Sequence, residues 1–494
     1  MQLPFGEWLP DQPDHLNPGA TVATNVYHAQ SSYKPVKGLV AYSGASNVTQ
    51  NAKGAGSFRD NTNTVFTFVG TKDNIYKLTS GTFASVKGSL TISGGDTDFF
   101  TFTQFGQYVV ASNGVNPPMY YLMGTSTNFA TLQSLATSSG SGTVPAKFKV
   151  SGVIRDFLVT GNIENAKNRV AWSGINDIST WEAGVSSSDT QDLPGSGGQV
   201  VAITSGEVGY VFREDQIIRM DFVGGNVVFR FSVISPNRGA VYGQTVCQDN
   251  RQVFFYASDG FFQINGDQIL PIGAEKVNRF FDGDLNKAYT DRITAAVDPF
   301  NTLAIWLYPS KDNPNTTGIC DKLLIYNYVT QKWSVAKVKA SQIFKQFVVA
   351  NTVELMDIIS ENLEDINISL DTAYWTTGHL YLGAIDENFK AAIFSGKTLE
   401  AELETKEQEI FPGLRANVTG IRPIVDASTN VTIKTRDKLA DTVTTSASSS
   451  MNDTGINPVR QSGRYFRANV KIPAESIWTN AQGIDLTASQ GGSR

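Results

Sequence analysis

The chain has 494 residues, with 40 Lys and Arg against 46 Asp and Glu, giving a formal charge of −6 and a pI near 5.3. That balance argues against a basic surface built to grip nucleic acid, and no apolar run reaches the roughly 18 residues a membrane-spanning helix needs. Only 17% of residues are charged, while 44 Gly, 29 Phe and 17 Tyr favour strands and turns, so a mainly β chain is expected.

Two cysteines, Cys247 and Cys320, cannot build a disulfide framework and are expected as buried free thiols. The opening MQLPFGEWLPDQPDH lacks the charged and apolar regions of a secretory signal, so the expectation is a soluble protein made in a cytoplasm.

Residues 1–40 are rich in Pro and Gly (Pro4, Pro10, Pro13, Pro18, Gly19, Pro35, Gly38) and read as an extended arm held by its contacts. Residues 41–62 read as a small-residue loop. From there β units follow one another. VFTFVGTKDNIYKLTSGTFASV (65–86) alternates apolar and polar residues on both arms of a hairpin turning at 71–74. A second hairpin spans 100–122 and turns at 112–118. The third, 157–184, has a strand at 157–159, a polar turn at 162–168, a strand at 169–172 and a loop closing on Trp181, an aromatic placed to wedge between sheets. Further units occupy 200–222, 253–272, 302–310 with 321–338, and 378–396. Their irregular spacing fits a degenerate β-propeller better than a solenoid.

Two stretches break the pattern. Residues 272–289 place Val277, Phe280, Phe281 and Leu285 on one face of a short helix. Residues 353–370 are apolar and acidic and fit helix or strand. After 401 a charged stretch leads to strands at 414–425, 429–436 and 463–473. The expected organisation is an arm and loop (1–62), a propeller-like domain (63–400) and a C-terminal β region (401–494).

No catalytic constellation is legible. The three histidines are His15, His28 and His379, two of them in the arm, and no G-x-S-x-G elbow is present. Metal spacings of His and Cys and EF-hand loops are absent. GSGG at 195–198 lacks the Lys and Ser/Thr of a phosphate loop and reads as a flexible turn. Asp156, Asp177, Asp215, Asp221, Asp259 and Asp298 sit near strand ends, where Asp commonly caps turns, although paired carboxylates could serve a glycosidase. Residues 173–181 only loosely follow the sialidase Asp-box. The adjacent pairs Tyr120/Tyr121, Phe254/Phe255, Phe261/Phe262 and Phe280/Phe281 load both faces of their elements, as blades stacked on blades require. No catalytic, cofactor or metal residue is therefore assigned, and no enzyme is expected.

Several of these segments resemble the tail nozzle (tail tubular, or packaged-DNA stabilisation) proteins of short-tailed bacteriophages. The arm LPDQPDHLNPGATVATNVYH is similar to that family's opening. NRVAWSGINDISTWEAG resembles its R-V-x-W-S-x-x-x-D-x-x-x-W segment through Arg169, Val170, Trp172, Ser173, Asp177 and Trp181. ASDGFFQING and DKLLIYNYVTQKWS resemble the blade strands that follow. The C-terminal stretch resembles the family through Arg422, Pro423, Gly463, Arg464, Tyr465, Trp478 and Gly483. The resemblance implies a structural virion component of the tail, a ring of six that extends the channel below portal and adaptor. Such a ring retains packaged double-stranded DNA, releases it on infection without specific binding, and offers docking to fibres or spikes. A net negative wall suits sliding, because a basic one would trap DNA by counterion release. Ring closure needs two different patches per subunit. The arm and the C-terminal region are the expected patches, so removing residues 1–38 is expected to leave a folded propeller that cannot join a tail. A receptor-binding protein holding host glycan on a propeller face, and a polysaccharide hydrolase, are the alternative expectations.

Overall fold

Short alternating runs separated by Gly, Asn and Asp turns cannot bury their apolar faces alone, so each folds back as an antiparallel meander and stacks against the next. The computed structural model describes residues 1–15, 17–41, 48–225, 227–250, 252–313, 318–348 and 379–492; the ambiguous stretch at 353–370 lies outside them. Among the described residues, five four-stranded meanders follow in chain order. Blade 1 comprises Gly54–Arg59, Val65–Gly70, Ile75–Thr79 and Thr82–Ser85. Blade 2 comprises Thr101–Phe105, Tyr108–Ser112, Met119–Leu122 and Ala130–Thr131. Blade 3 is built from Phe148–Ile154, Phe157–Ile163, Ala166–Trp172 and Asp189–Asp192. Blade 4 has Val200–Ile203, Val208–Arg213, Ile217–Phe222 and Phe229–Ser235, and blade 5 has Cys247–Asp249, Gln252–Ala257, Gly260–Asn265 and Gln268–Pro271.

The strand Lys332–Val348 serves two sheets. Its first part pairs with Cys320–Asn327 and completes blade 6, begun by Thr294–Asp298 and Leu303–Tyr308. Past an irregularity near Ala340 it pairs with His379–Asp386, which pairs with Ala391–Ile393. The outermost strand of this seventh blade is Val40–Ala41, from the N-terminal segment. The propeller thus closes by joining an early strand to a late one.

The first strands of the blades surround a common axis and are tied sideways. Phe100 N donates to Lys53 O at 2.7 Å, and Thr103 and Ser151 hydroxyls meet at 2.8 Å. Ser205 Oγ accepts from Val153 N at 3.0 Å, and Gln248 Nε2 donates to Ser205 O at 2.6 Å. Ile343 N reaches Thr294 Oγ1, and Gln346 Nε2 reaches Thr67 Oγ1. The first and third turns of each meander lie on one face, the lower, and the second turns on the upper.

The stretch at 41–62 that reads as a loop contains the innermost strand of blade 1. Near the axis there is little room: a Cβ on Gly54 would come within 2.3 Å of Phe100 O. Crowding selects the small residues that disguise this strand. The expected short helix is Asn278–Asp284. Trp181 is buried between blades 2 and 3, as its position predicts. In blade 5 the paired aromatics divide between clusters, Phe254 and Phe261 facing one side and Phe255 and Phe262 the other. Phe280 and Phe281, by contrast, lie on the helix and both pack against a single core, because helical neighbours do not alternate between two faces.

The C-terminal β region contributes three main strands to each sheet of a sandwich, and arm strands complete both sheets. One sheet runs Val26–Ala29, Ser32–Pro35, Ala481–Gln490, Ala416–Val425 and Asn457–Gly463, with Gln2–Pro4 also paired to Ala481–Gln490. The second contains Val22–Thr24, Ala401–Glu404, Tyr465–Ile472 and Asn430–Arg436. Val418, Ile421, Ile484 and Leu486 of the first pack with Leu403, Val431, Ile433 and Val470 of the second. Val22–Thr24 also pairs with the outer strand of blade 6 at Thr24 and Val335. The sheet of blade 6 therefore continues radially through an arm strand into the sandwich. Leu3, Phe5, Trp8, Val26 and Tyr33 are buried in the core shared by blades 5 and 6 and the sandwich. The arm's apolar residues are thus spent within this chain, and its removal would open the core.

Candidate functional site

Every candidate for chemistry has a place in this frame. Of the six aspartates, Asp156 and Asp177 belong to blade 3, Asp215 and Asp221 to blade 4, Asp259 to blade 5 and Asp298 to blade 6. Asp177 accepts from Ser179 N (2.8 Å), Ser179 Oγ (2.6 Å) and Thr180 Oγ1 (2.7 Å). Partial burial would raise its pKa, but these hydrogen bonds prevail and hold it below the ordinary value. Asp298 caps its turn, accepting from Phe300 N and Asn301 Nδ2. Asp259 is engaged by Arg238, with contacts of 2.6–3.1 Å, and Asp221 by Arg219 and Arg230. These are turn-capping and ion-pairing roles.

The histidines are dispersed. His15 stands edge-on to Tyr465 with ring centroids 5.8 Å apart, and His379 opens a blade 7 strand. His28 is buried against Tyr33, with its Nε2 3.1 Å from Lys332 Nζ. Burial first, and the Lys332 charge second, lower its pKa to about 4, so it is neutral at pH 7. Cys247 and Cys320 are free and buried, and burial raises both thiol pKa values, that of Cys247 to about 12. Thiolate chemistry is disfavoured at both.

The GSGG segment is more constrained than a simple turn. Its carbonyls wrap the buried Arg213, which donates to Pro194 O (2.8 Å), Gly195 O (3.1 Å), Gly198 O (2.8 Å) and Gln216 Oε1 (2.7 Å). A buried cation thus organises a loop that lacks regular structure of its own.

One concave feature is the propeller axis. A cavity of about 350 Å³ is lined by the first strands, including Thr101, Ser151, Ile203, Val246, Ala295 and Lys345. Lys345 Nζ donates to Gln248 O at 2.8 Å, and burial lowers its pKa. Adjoining hollows open to the upper face among Lys53, Lys72, Asp96, Asp98, Lys149 and Asp291. There Lys53 donates to Asp96 O, Lys72 pairs with Asp96 at 3.3 Å, and Lys149 lies 4.5 Å over the Phe99 ring. Burial lowers the Lys53 pKa against the pull of Asp291. Such a volume suits a small molecule and is too small to pass a duplex. Among the described residues no cluster of His, Cys, Asp or Glu is arranged to hold a metal ion.

Sequence reasoning missed the outward apolar residues. Phe300 and Ile477 are each 88% exposed, and Val227 is 61% exposed. They flank turns, and only lone apolar letters beside DP, ES or GG could have marked them.

No protein-family model and no curated protein matches this chain. Among solved structures, the extracellular domain of a hybrid two-component system from B. thetaiotaomicron is similar at 10% identity and a TM-score of 0.41; the match covers 78% of this chain and 43% of that one. The Neurospora crassa Pan2 WD40 domain matches at 8% identity over 74% of this chain and 96% of its own, with a TM-score of 0.36. A chain of the mitotic checkpoint complex matches at 10% identity over 68% and 88%, with a TM-score of 0.34. The propeller assignment stands on the strand pairing of this chain, to which these weak likenesses add nothing.

Proposed function

We propose that this chain is a structural subunit of a short bacteriophage tail, a nozzle protein that assembles as a ring of six around the path of exiting DNA. The observation that carries the reading is the continuous sheet from blade 6 through Val22–Thr24 into the sandwich. Backbone hydrogen bonds across one sheet make propeller and sandwich a single stiff block, which suits a part that must hold packaged DNA without yielding. The resemblance of the arm, of 168–184 and of the C-terminal stretch to the nozzle family supplies the identity of the assembly. In this reading the ring docks to head-to-tail adaptor proteins above and to fibres or spikes outside. Double-stranded DNA passes through the ring without specific binding, and the subunit is no enzyme.

Immunogold electron microscopy of particles from the encoding source tests the proposal. Label at the distal end of a short tail, with a sixfold average, is the expected result, and absence of label from the particles overturns it. Label on protruding appendages would instead favour a receptor-binding role. The ligand-sized axial cavity and its polar upper mouth are the feature that reading would use for host glycan.

A further inference from the structure

Each innermost strand runs from the upper face towards the lower, so the residues at its start gather at the upper end of the propeller axis. Lys53 comes there from blade 1, Phe99 from blade 2, Lys149 from blade 3, Gln244 from blade 5, Arg292 from blade 6 and Gln342 from blade 7. Three hollows of about 350, 550 and 310 Å³ meet among them, and Phe99 and Gln244 line all three. The hollows therefore form one funnel. Lower down, Lys345 of blade 7 reaches over to Gln248 O of blade 5 at 2.8 Å.

Charge in the funnel runs against that of the chain. Among the described residues six basic side chains face four carboxylates there, in a protein of net charge −6. Three of the carboxylates are engaged: Asp96 by Lys72 at 3.3 Å, Asp98 by Gly95 N at 2.7 Å and Glu214 by Gln199 Nε2 at 2.8 Å. Asp291, the fourth, pulls on Lys53, yet burial still lowers the Lys53 pKa, and the neighbouring Arg292 charge adds to the lowering. Burial lowers Lys149 and Lys345 in the same direction, so these cations are incompletely compensated. Arg292 lies 3.9 Å over the Tyr289 ring, and its Nη1 is buried without a hydrogen-bond partner. An unpaired buried donor is costly, and an anion beside it would recover that cost. The neutral groups add a second chemistry. The half-buried side-chain amides of Gln244 and Gln342 make no hydrogen bond among the described residues. Each presents donors and an acceptor, which suits neighbouring hydroxyls. Phe99 carries Lys149 Nζ 4.5 Å over its ring, so an apolar ring and a cation stand side by side.

We propose that this funnel binds an acidic monosaccharide of the hexuronate type, its carboxylate on Arg292 and Lys53 and its hydroxyls on Gln244 and Gln342. A few placed polar groups around an aromatic wall fix the orientation of such a ligand, and the charged pair supplies the stronger, charge-assisted contacts. Inorganic phosphate would satisfy the cations but leave both amides and Phe99 unused, and a neutral sugar would leave Arg292 Nη1 unpaired. The site belongs to the single chain and does not rest on the ring reading, so it holds whichever assembly the chain joins.

Titration calorimetry of the full-length chain with glucuronate, glucose and inorganic phosphate tests the proposal. Glucuronate should bind with a Kd of about 1 mM or tighter, and glucose about tenfold or more weakly for want of the charge-assisted contacts. Arg292→Gln should remove the preference for glucuronate over glucose. Gln244→Ala and Gln342→Ala, at amides that support no other group, should each weaken glucuronate about three- to tenfold with unchanged circular dichroism, which keeps the test open if Arg292→Gln does not fold. No heat from glucuronate at about 10 mM overturns the proposal. Glucose binding as tightly as glucuronate overturns it too, as does phosphate binding more tightly, which would mark a site for inorganic anions only. Glucuronate affinity that both Gln variants leave unchanged places the sugar elsewhere and also overturns it. Labelling of particles judges the ring reading separately.

Discussion

Trp8→Ala tests whether the N-terminal segment is structural core or a peripheral arm. Trp8 is 3% exposed and meets Phe280 edge-on with ring centroids 4.9 Å apart. It belongs to the cluster that joins blades 5 and 6 to the sandwich. A buried Trp removes about 200 Å² from water, worth about 5 kcal/mol at 25 cal/mol per Å², and the methyl of Ala retains a little of this. Measured Trp and Phe truncations in cores cost about 3–5 kcal/mol, so a loss of about 4 kcal/mol is expected. For a chain this large that corresponds to a fall in melting temperature of about 5–10 °C. Calorimetry or thermal circular dichroism reads it, with Phe300→Ala, at an 88% exposed site, as the control that should shift by less than about 1 °C. Wild-type melting of Trp8→Ala would refute the placement of the segment in the core. By the same reasoning, removal of residues 1–38 should leave the sandwich unfolded and protease-sensitive, and a resistant 401–494 fragment in the truncated chain would contradict this.

Three other outcomes follow from specific contacts. Glu407 is 2% exposed and pairs with Arg436, itself mostly buried, so Glu407→Gln should cost about 3–5 kcal/mol in urea denaturation by leaving an uncompensated cation; a loss below about 1 kcal/mol would refute the burial of the pair. The folded-state pKa of His28, about 4, lies below its unfolded value near 6.5, so the folded form binds fewer protons between these limits. This contribution is present above pH 6.5 and is lost as pH falls towards 4, up to about 3 kcal/mol. His28→Gln should therefore gain stability relative to wild type over that window, and parallel stability–pH curves would refute the assignment. A Cβ on Gly483 would lie 2.3 Å from Leu3 O and 2.7 Å from Pro4 Cα, so Gly483→Ala should displace Gln2–Pro4 and speed amide exchange at its paired positions, whereas unchanged exchange would show that the strand does not pack there.

The sequence by itself determined the local units. Alternation in 65–86 and the turn at 71–74 yield Val65–Gly70 and Ile75–Thr79, because burial on one face and turn chemistry act within a few residues. The doubled aromatics of blade 5 announced sheets packed on both faces for the same reason. Trp181 was legible as a wedge, and the two cysteines as buried free thiols. Tertiary structure alone decided how the units close and join. Val40–Ala41 pairs with Ala391–Ile393, and Val22–Thr24 with Ala401–Glu404, across more than three hundred residues, and such pairing leaves no periodic trace in a short Pro- and Gly-punctuated segment. Gly54–Arg59 read as a loop because crowding at the axis, a property of the assembled ring of blades, selected its small residues. Exposure at Phe300 and Val227 was equally hidden, since whether an apolar side chain is covered depends on which distant elements reach it.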